Sequence, residues 1–287
     1  MKSKDHVKIT QKAIELFKEN SSGNSGGIFS AYQKVISKGV KDEDTTPFAT
    51  RGTNWHFYKE NENLVPREVK LLGVFPTITI YPTSEHILTR RIKQLENELK
   101  KSESDDQFLL MGKVIHHLQD MSTPSHVVPV YHGMEVKNPY EKYVNRNIDE
   151  VLNLIKGGQD GFSTVQSYDS LISLYTSSAE QTLKYLFDDQ SRFSVTVDGQ
   201  EKQTGCELFW QRYGDPKDQY SQDENTKFEG FGRFTTYGIN FGVDPDDATD
   251  EKYLLDDVVY RGIMTHFIGK AVAETVAAFA FIDSIMH

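Results

Sequence analysis

A chain of 287 residues with 37% hydrophobic and 26% charged residues has enough apolar side chains to bury a sizeable core. The longest apolar stretch, Val272 to Ile285, is broken by Glu274 and Asp283, so no run reaches the ~18 residues of a membrane-spanning helix. A net charge of -10 disfavours sequence-specific binding to nucleic acid, and the lone Cys206 excludes an internal disulfide framework or a cysteine-rich zinc finger.

No apolar segment follows Met1-Lys2-Ser3-Lys4-Asp5, so any signal peptide is absent or already removed. From His6 to Lys18, Ile9, Ala13, Leu16 and Phe17 recur at three and four, predicting an amphipathic helix with His6 at its start. A Gly- and Ser-rich loop follows from Asn20 to Gly27. A short helix through Ala31 and Ile36 is expected to stop near Gly39 and open a polar loop, Lys41 to Asn54, carrying Asp42, Asp44 and Pro47. Thr77 to Ile80 alternates like an extended segment, and Pro82 with Ser84 as N-cap marks the start of a helix over 84–100. Further helices are predicted at about 106–121, 140–156, 167–187 and 254–285. Between Phe193 and Asp250 the pattern turns to Gly, aromatic and polar residues, beginning with a hairpin-like Phe193 to Gly199. The expected architecture is one all-α domain over 1–287 with an irregular insertion at about 193–250. The insertion is read either as a membrane-contacting lid bearing Phe209, Trp210, Phe228, Phe231 and Phe234, or as a surface excursion packed on the helices.

The run His116-His117-Leu118-Gln119-Asp120-Met121-Ser122-Thr123-Pro124-Ser125-His126 carries the most chemistry. His116 and Asp120, four apart on one helix face, can reach one metal ion together, and imidazole and carboxylate are the ligands of catalytic zinc sites. His117 points about 100° away from His116, which suits packing or support of a ligand. A surface hydrogen-bonded pair is the plain alternative for His116 and Asp120. Upstream lie His6 and, fourteen residues apart, Asp42 and the His56 of Trp55-His56-Phe57-Tyr58.

This ordered set resembles the bacterial zinc-dependent phospholipase C family, the alpha-toxin type, which shares a fold and metal site with fungal single-strand nucleases. The matching elements are an early His, an Asp and a His about fourteen apart with the latter in His-Phe-Tyr, His-x3-Asp-x5-His, and a Glu on the next helix. The resemblance covers about His6 to Phe187 and the terminal helix. It implies a multi-helix bundle around up to three zinc ions. Asp42, His56, His116 and Asp120 would hold one zinc. Asp120 would bridge to a second, bound also by His6 and by the terminal amine and carbonyl of Met1. His126 and Glu141 would bind a third. The family's remaining His falls at Lys137, and His132 in Tyr131-His132-Gly133 is the substitute. Asp44 is the alternative to Asp42. His86, His266 and His287 match no family position.

The implied activity is zinc-dependent phosphodiester hydrolysis. The resemblance makes the chain a phospholipase C that cleaves glycerophospholipid to diacylglycerol and a phosphorylated headgroup, with Asp42 as general base. It would be secreted, exported or delivered to a host, and would touch a membrane surface transiently. A nuclease or nucleotidase on the same scaffold, or a metal-stabilised effector without activity, are the alternatives. Glu43 and Thr53 stand where choline-preferring members have aromatic residues; Glu43 would attract a cationic headgroup, with Tyr58, Tyr131 and Tyr140 as other aromatic faces. Trp55 is read as packing beside the site.

Overall fold

The computed structural model describes residues 1–21, 25–45, 54–70, 77–131, 138–156, 168–188, 192–197, 200–214 and 230–286. Among the described residues the chain is mainly helical, with three small sheets. Its helices are α1 (Ser3–Asn20), α2 (Ser25–Ala31), α3 (Gln33–Thr45), α4 (Glu85–Leu99), α5 (Asp105–Asp120), α6 (Pro124–Val127), α7 (Pro139–Leu154), α8 (Leu171–Phe187), α9 (Thr236–Ile239) and α10 (Asp257–Met286). None is long and apolar enough to cross a membrane.

Helix α5 is the axis of the bundle. It packs on α1, α3, α4, α8 and α10, so Met111, Val114, Ile115, His116, His117 and Leu118 are all fully enclosed. Its partner α10 is buried over most of its circumference, from Tyr260 to Ile282. That explains why the terminal stretch reads as nearly continuous apolar sequence without spanning a membrane. The polar residues α10 does bury are bonded. Glu274 accepts from Ser122 Oγ (2.6 Å) and Ser178 Oγ (2.5 Å) and pairs with Lys270, which joins the turn after α5 to α8 and α10 through one carboxylate.

Three boundaries differ from expectation. Helix α2 begins at Ser25, inside the stretch to Gly27 expected as a loop, and the one helix expected through Ala31 and Ile36 is two, α2 and α3. The first helix begins at Ser3, which moves His6 into its first turn. Helix α3 continues past Gly39 to Thr45, so Asp42, Glu43 and Asp44 are helical rather than part of a loop. Gly39 does not end the helix because its role is packing. A Cβ there would lie 2.0 Å from the Leu109 carbonyl oxygen, and one on Gly112 would lie 2.1 Å from that of Ile36. The two glycines let the backbones of α3 and α5 touch. Ser84 also departs from the cap predicted for it: it lies in helical conformation and makes no side-chain cap, and its hydroxyl instead bonds Tyr175 Oη at 2.6 Å.

A three-stranded sheet in the order β1-β3-β2 flanks the bundle, formed by β1 (Asn54–Phe57), β2 (Arg67–Lys70) and β3 (Thr77–Thr83). β1 runs parallel to β3 and β2 antiparallel to it. In the insertion, β4 (Phe193–Val197) and β5 (Gln200–Thr204) form the predicted hairpin, and β6 (Trp210–Gln211) pairs with β7 (Arg233–Phe234). Phe209 and Trp210 are fully buried and Phe231 nearly so, which supports the packed reading of these residues; Phe228 lies outside the described residues.

Candidate metal centre

Four elements converge at the C-terminal end of α5. Helix α1 brings His6, α3 brings Asp44, and α5 brings His116, His117 and Asp120. The fourth, β1, brings His56, held by its ladder to β3 on one side and by α6 on the other, where Tyr58 N–H donates to His126 O at 2.9 Å. Pro124 prevents α5 from continuing, and Thr123 before it is extended. The chain therefore turns back, and His126 faces the same space. At the head of α7, Asn138 accepts from Glu141 N–H (3.3 Å) while its amide donates to Ser125 Oγ (2.6 Å), which draws Glu141 toward His126.

Asp120 is the centre, 1% exposed, and neither carboxylate oxygen has a hydrogen-bond partner among the described residues. Its Oδ2 lies 3.3 Å from His56 Nδ1 and 3.3 Å from His116 Nε2. These two nitrogens are 3.1 Å apart, and Asp44 Oδ1 is 3.5 Å from His116 Nε2. On the other side Asp120 Oδ1 lies 3.4 Å from His6 Nε2, itself without a hydrogen bond among the described residues, and 3.7 Å from His126 Nδ1. An ion held tetrahedrally at about 2.0–2.1 Å spaces its ligands about 3.3–3.4 Å apart. The sets His6, His116, Asp120 and Asp44, His56, His116 can each hold a metal ion, as can His56, His117, Asp120.

The imidazole tautomers are fixed by their outer partners. Thr10 and Thr275 donate their hydroxyl protons to His6 O and Ala271 O, so both must accept from Gln119 Nε2 (2.9 and 3.1 Å). That turns Gln119 Oε1 toward His6, whose Nδ1–H donates to it at 2.8 Å, and leaves the lone pair on Nε2. His116 Nδ1–H donates to Val40 O (3.1 Å) and His126 Nδ1–H to His56 O (2.8 Å). Three imidazoles therefore present Nε2 inward, the arrangement of metal-ligating histidines. His126 Nε2 faces Glu141 Oε1 at 3.5 Å.

Burial raises the Asp120 carboxyl, but the surrounding imidazoles, chiefly His126 and His116, outweigh it and hold the group well below the carboxylate range. Asp44 is likewise lowered, burial being overcome by His116, His6 and His56. His116 is raised because Asp44 and Asp120 overcome its burial, while burial and the neighbouring His116 lower His6.

Asp44, and not Asp42, is brought to the ligands. Asp42 lies on a different side of α3, half-buried, pairs with Lys38 four residues earlier, and joins none of the ligand sets found among the described residues. Ser3 Oγ donates to Asp44 Oδ2 at 2.9 Å. The α-amine of Met1 lies 2.9 Å from Glu141 Oε1, and its pKa is raised because Glu141, Asp120 and Asp44 outweigh its burial. Its hydrogen bond goes to Glu141, which also faces His126, while its charge acts on His6. His132, like Thr53 and Lys137, lies outside the described residues.

Glu43 is unsuited to attract a headgroup. It is buried, accepts from Arg91 Nε and Nη2 at 3.1 and 3.0 Å, and bonds His117 Nε2 at 3.3 Å. Tyr140 is also buried, in the aromatic core with Trp210 and Phe241. Trp55 and Tyr131 are half-buried and pack together at 5.1 Å beside His56. His86 and His266 stack on Tyr81 and Tyr185.

Sequence reasoning held Asp44 only as the alternative to Asp42, and it missed Gln119 and the Arg91–Glu43–His117 chain. Continuing the helical period through Gly39 would have favoured Asp44, since Ile36, Val40, Glu43 and Asp44 then share a face. No protein-family model matches the chain, and no curated protein matches it.

Proposed function

We propose that this chain is a zinc-dependent phosphodiester hydrolase of the phospholipase C type, built as a phospholipase C/nuclease-like helical bundle. The observation that carries the metal reading is Asp120, a buried carboxylate whose two oxygens make no hydrogen bond among the described residues and face imidazole nitrogens on either side. A buried ionised group without hydrogen bonds is costly, and a cation between the two sets of ligands relieves that cost. Imidazole and carboxylate together suit zinc.

Asp44, His56, His116 and Asp120 would hold one ion, His6 and Asp120 a second, and His126 with Glu141 a third. The resemblance adds Met1 to the second site and His132 to the third. When bound, such ions polarise a phosphoryl oxygen, acidify water and stabilise a leaving alkoxide. The protein's share is to orient and to move protons. Asp44 takes the general-base role first expected of Asp42, since its carboxylate is at the ligands and held ionised. Ser3 fixes its Oδ2. Trp55 and Tyr131 pack with Phe57 and Phe231 in a small apolar cluster under the strand that carries His56. The phospholipid would be met at a membrane surface by a secreted, exported or host-delivered protein.

The test is metal analysis together with hydrolysis of a chromogenic phosphocholine ester. Hydrolysis lost to a chelator and restored by zinc is expected. Bound zinc without hydrolysis of ester, phospholipid or single-stranded nucleic acid would contradict the hydrolase reading and favour a non-catalytic effector.

A further inference from the structure

His117 was expected only to pack or to support a neighbouring ligand, yet one of its ring nitrogens is unexplained by either role. The side chain is 0% exposed, and Nδ1 has no hydrogen-bond partner among the described residues. We propose that His117 is itself a metal ligand, offering Nδ1 to an ion held together with His56 and Asp120; this rests on the metal-binding reading of those two residues.

The tautomer follows from the chain behind it. Glu43 is clamped by the Arg91 guanidinium through two hydrogen bonds, and Lys113 Nζ stands 3.7 Å from the same carboxylate. With two cations beside it, Glu43 stays ionised and can only accept, so His117 Nε2 carries the proton and Nδ1 the lone pair. A carboxylate behind an imidazole is the usual support of a metal-ligating histidine, raising its basicity and fixing its ring. The ring lies 4.6 Å from that of His56, centroid to centroid. His117 offers a nitrogen within 4.8 Å of the ligand atoms of His56 and Asp120. His56 belongs both to this set and to the set of Asp44 and His116. An ion that keeps His56 and Asp120 can therefore exchange Asp44 and His116 for His117 without leaving the centre. The set is two imidazoles and one carboxylate, which suits a borderline divalent cation such as zinc or cobalt(II).

Cobalt(II) added to the chelator-treated full chain is the probe, because its spectrum reports ligand identity. His117→Cys puts a thiolate near the position of Nδ1, the longer metal–sulfur bond of about 2.3 Å against about 2.0–2.1 Å for nitrogen offsetting the shorter side chain. A thiolate-to-cobalt charge-transfer band in the near ultraviolet is expected, absent from the wild type, whose Cys206 is buried in a separate 3-10 turn. His117→Gln should bind cobalt about tenfold more weakly or worse, and Glu43→Gln should weaken it about tenfold as the loss of a ligand's supporting group does. A folded, cobalt-binding His117→Cys protein without the band overturns the proposal. Should that variant not fold, unchanged affinity and visible spectrum in His117→Gln overturn it. A wild-type protein that binds no cobalt removes the metal reading as a whole, which is a different result.

Discussion

At the scale of single residues the centre is decided by which side of a helix a carboxylate occupies. Asp42 and Asp44 are two apart on α3, and only Asp44 reaches His116. Asp44→Asn should lower zinc affinity and ester hydrolysis by about a hundredfold or more, because it removes a ligand and a proton acceptor together. Asp42→Asn should leave both within about twofold, as a surface i,i+4 pair carries little energy. Equal losses in the two variants would contradict the assignment. Proton competition gives a second check. Without metal, Asp44 and Asp120 raise the His116 pKa, so the ring holds a proton that an ion must displace. Below that raised pKa each displaced proton weakens binding by about tenfold per pH unit lost, so affinity should rise with pH between about 6 and 8. Calorimetry in buffers of different ionisation enthalpy should show proton release; pH-independent binding without release would contradict it. The His-x3-Asp pair was legible in the sequence because spacing on a helix fixes direction. Gln119 and Glu43 were not, because their partners, Thr10, Thr275 and Arg91, come from distant segments and only packing brings them together.

At the scale of elements, the contact between α3 and α5 sets the depth of the site. Gly39 and Gly112 bring the helices close enough for the His116 imidazole to reach the carbonyl of Val40, one residue beyond the contact. Gly112→Ala should cost about 1–3 kcal/mol by overpacking. It should also weaken zinc binding, since the support of His116 is withdrawn as the helices part. An unchanged melting temperature and zinc affinity would show that the contact is not needed. Gly39 also shows why one boundary was misread. In a sequence, a Gly after a short apolar period resembles a helix stop, and a glycine required by a neighbouring backbone looks the same. Helices α5, α7, α8 and α10 were legible from their periodicity. β1 was not, because four residues held by one neighbouring strand and a turn leave little pattern of their own.

At the scale of the molecule, the net charge of -10 changes meaning once the carboxylates are placed. Asp44, Asp120 and Glu141 face imidazoles and Glu43 is clamped by Arg91, so part of the acidic surplus is internal to the centre and its support. Up to three zinc ions would bring positive charge to that same place, where the proposed anionic phosphodiester substrate would bind. The centre draws on α1, α3, β1, α5, α6 and α7, so it forms only when these elements are packed together. Crystals grown with zinc and measured at the zinc absorption edge test the account most directly. Anomalous peaks on both sides of Asp120, one among Asp44, His56 and His116 and one beside His6, are predicted; zinc-loaded crystals with no peak at Asp120 would contradict it.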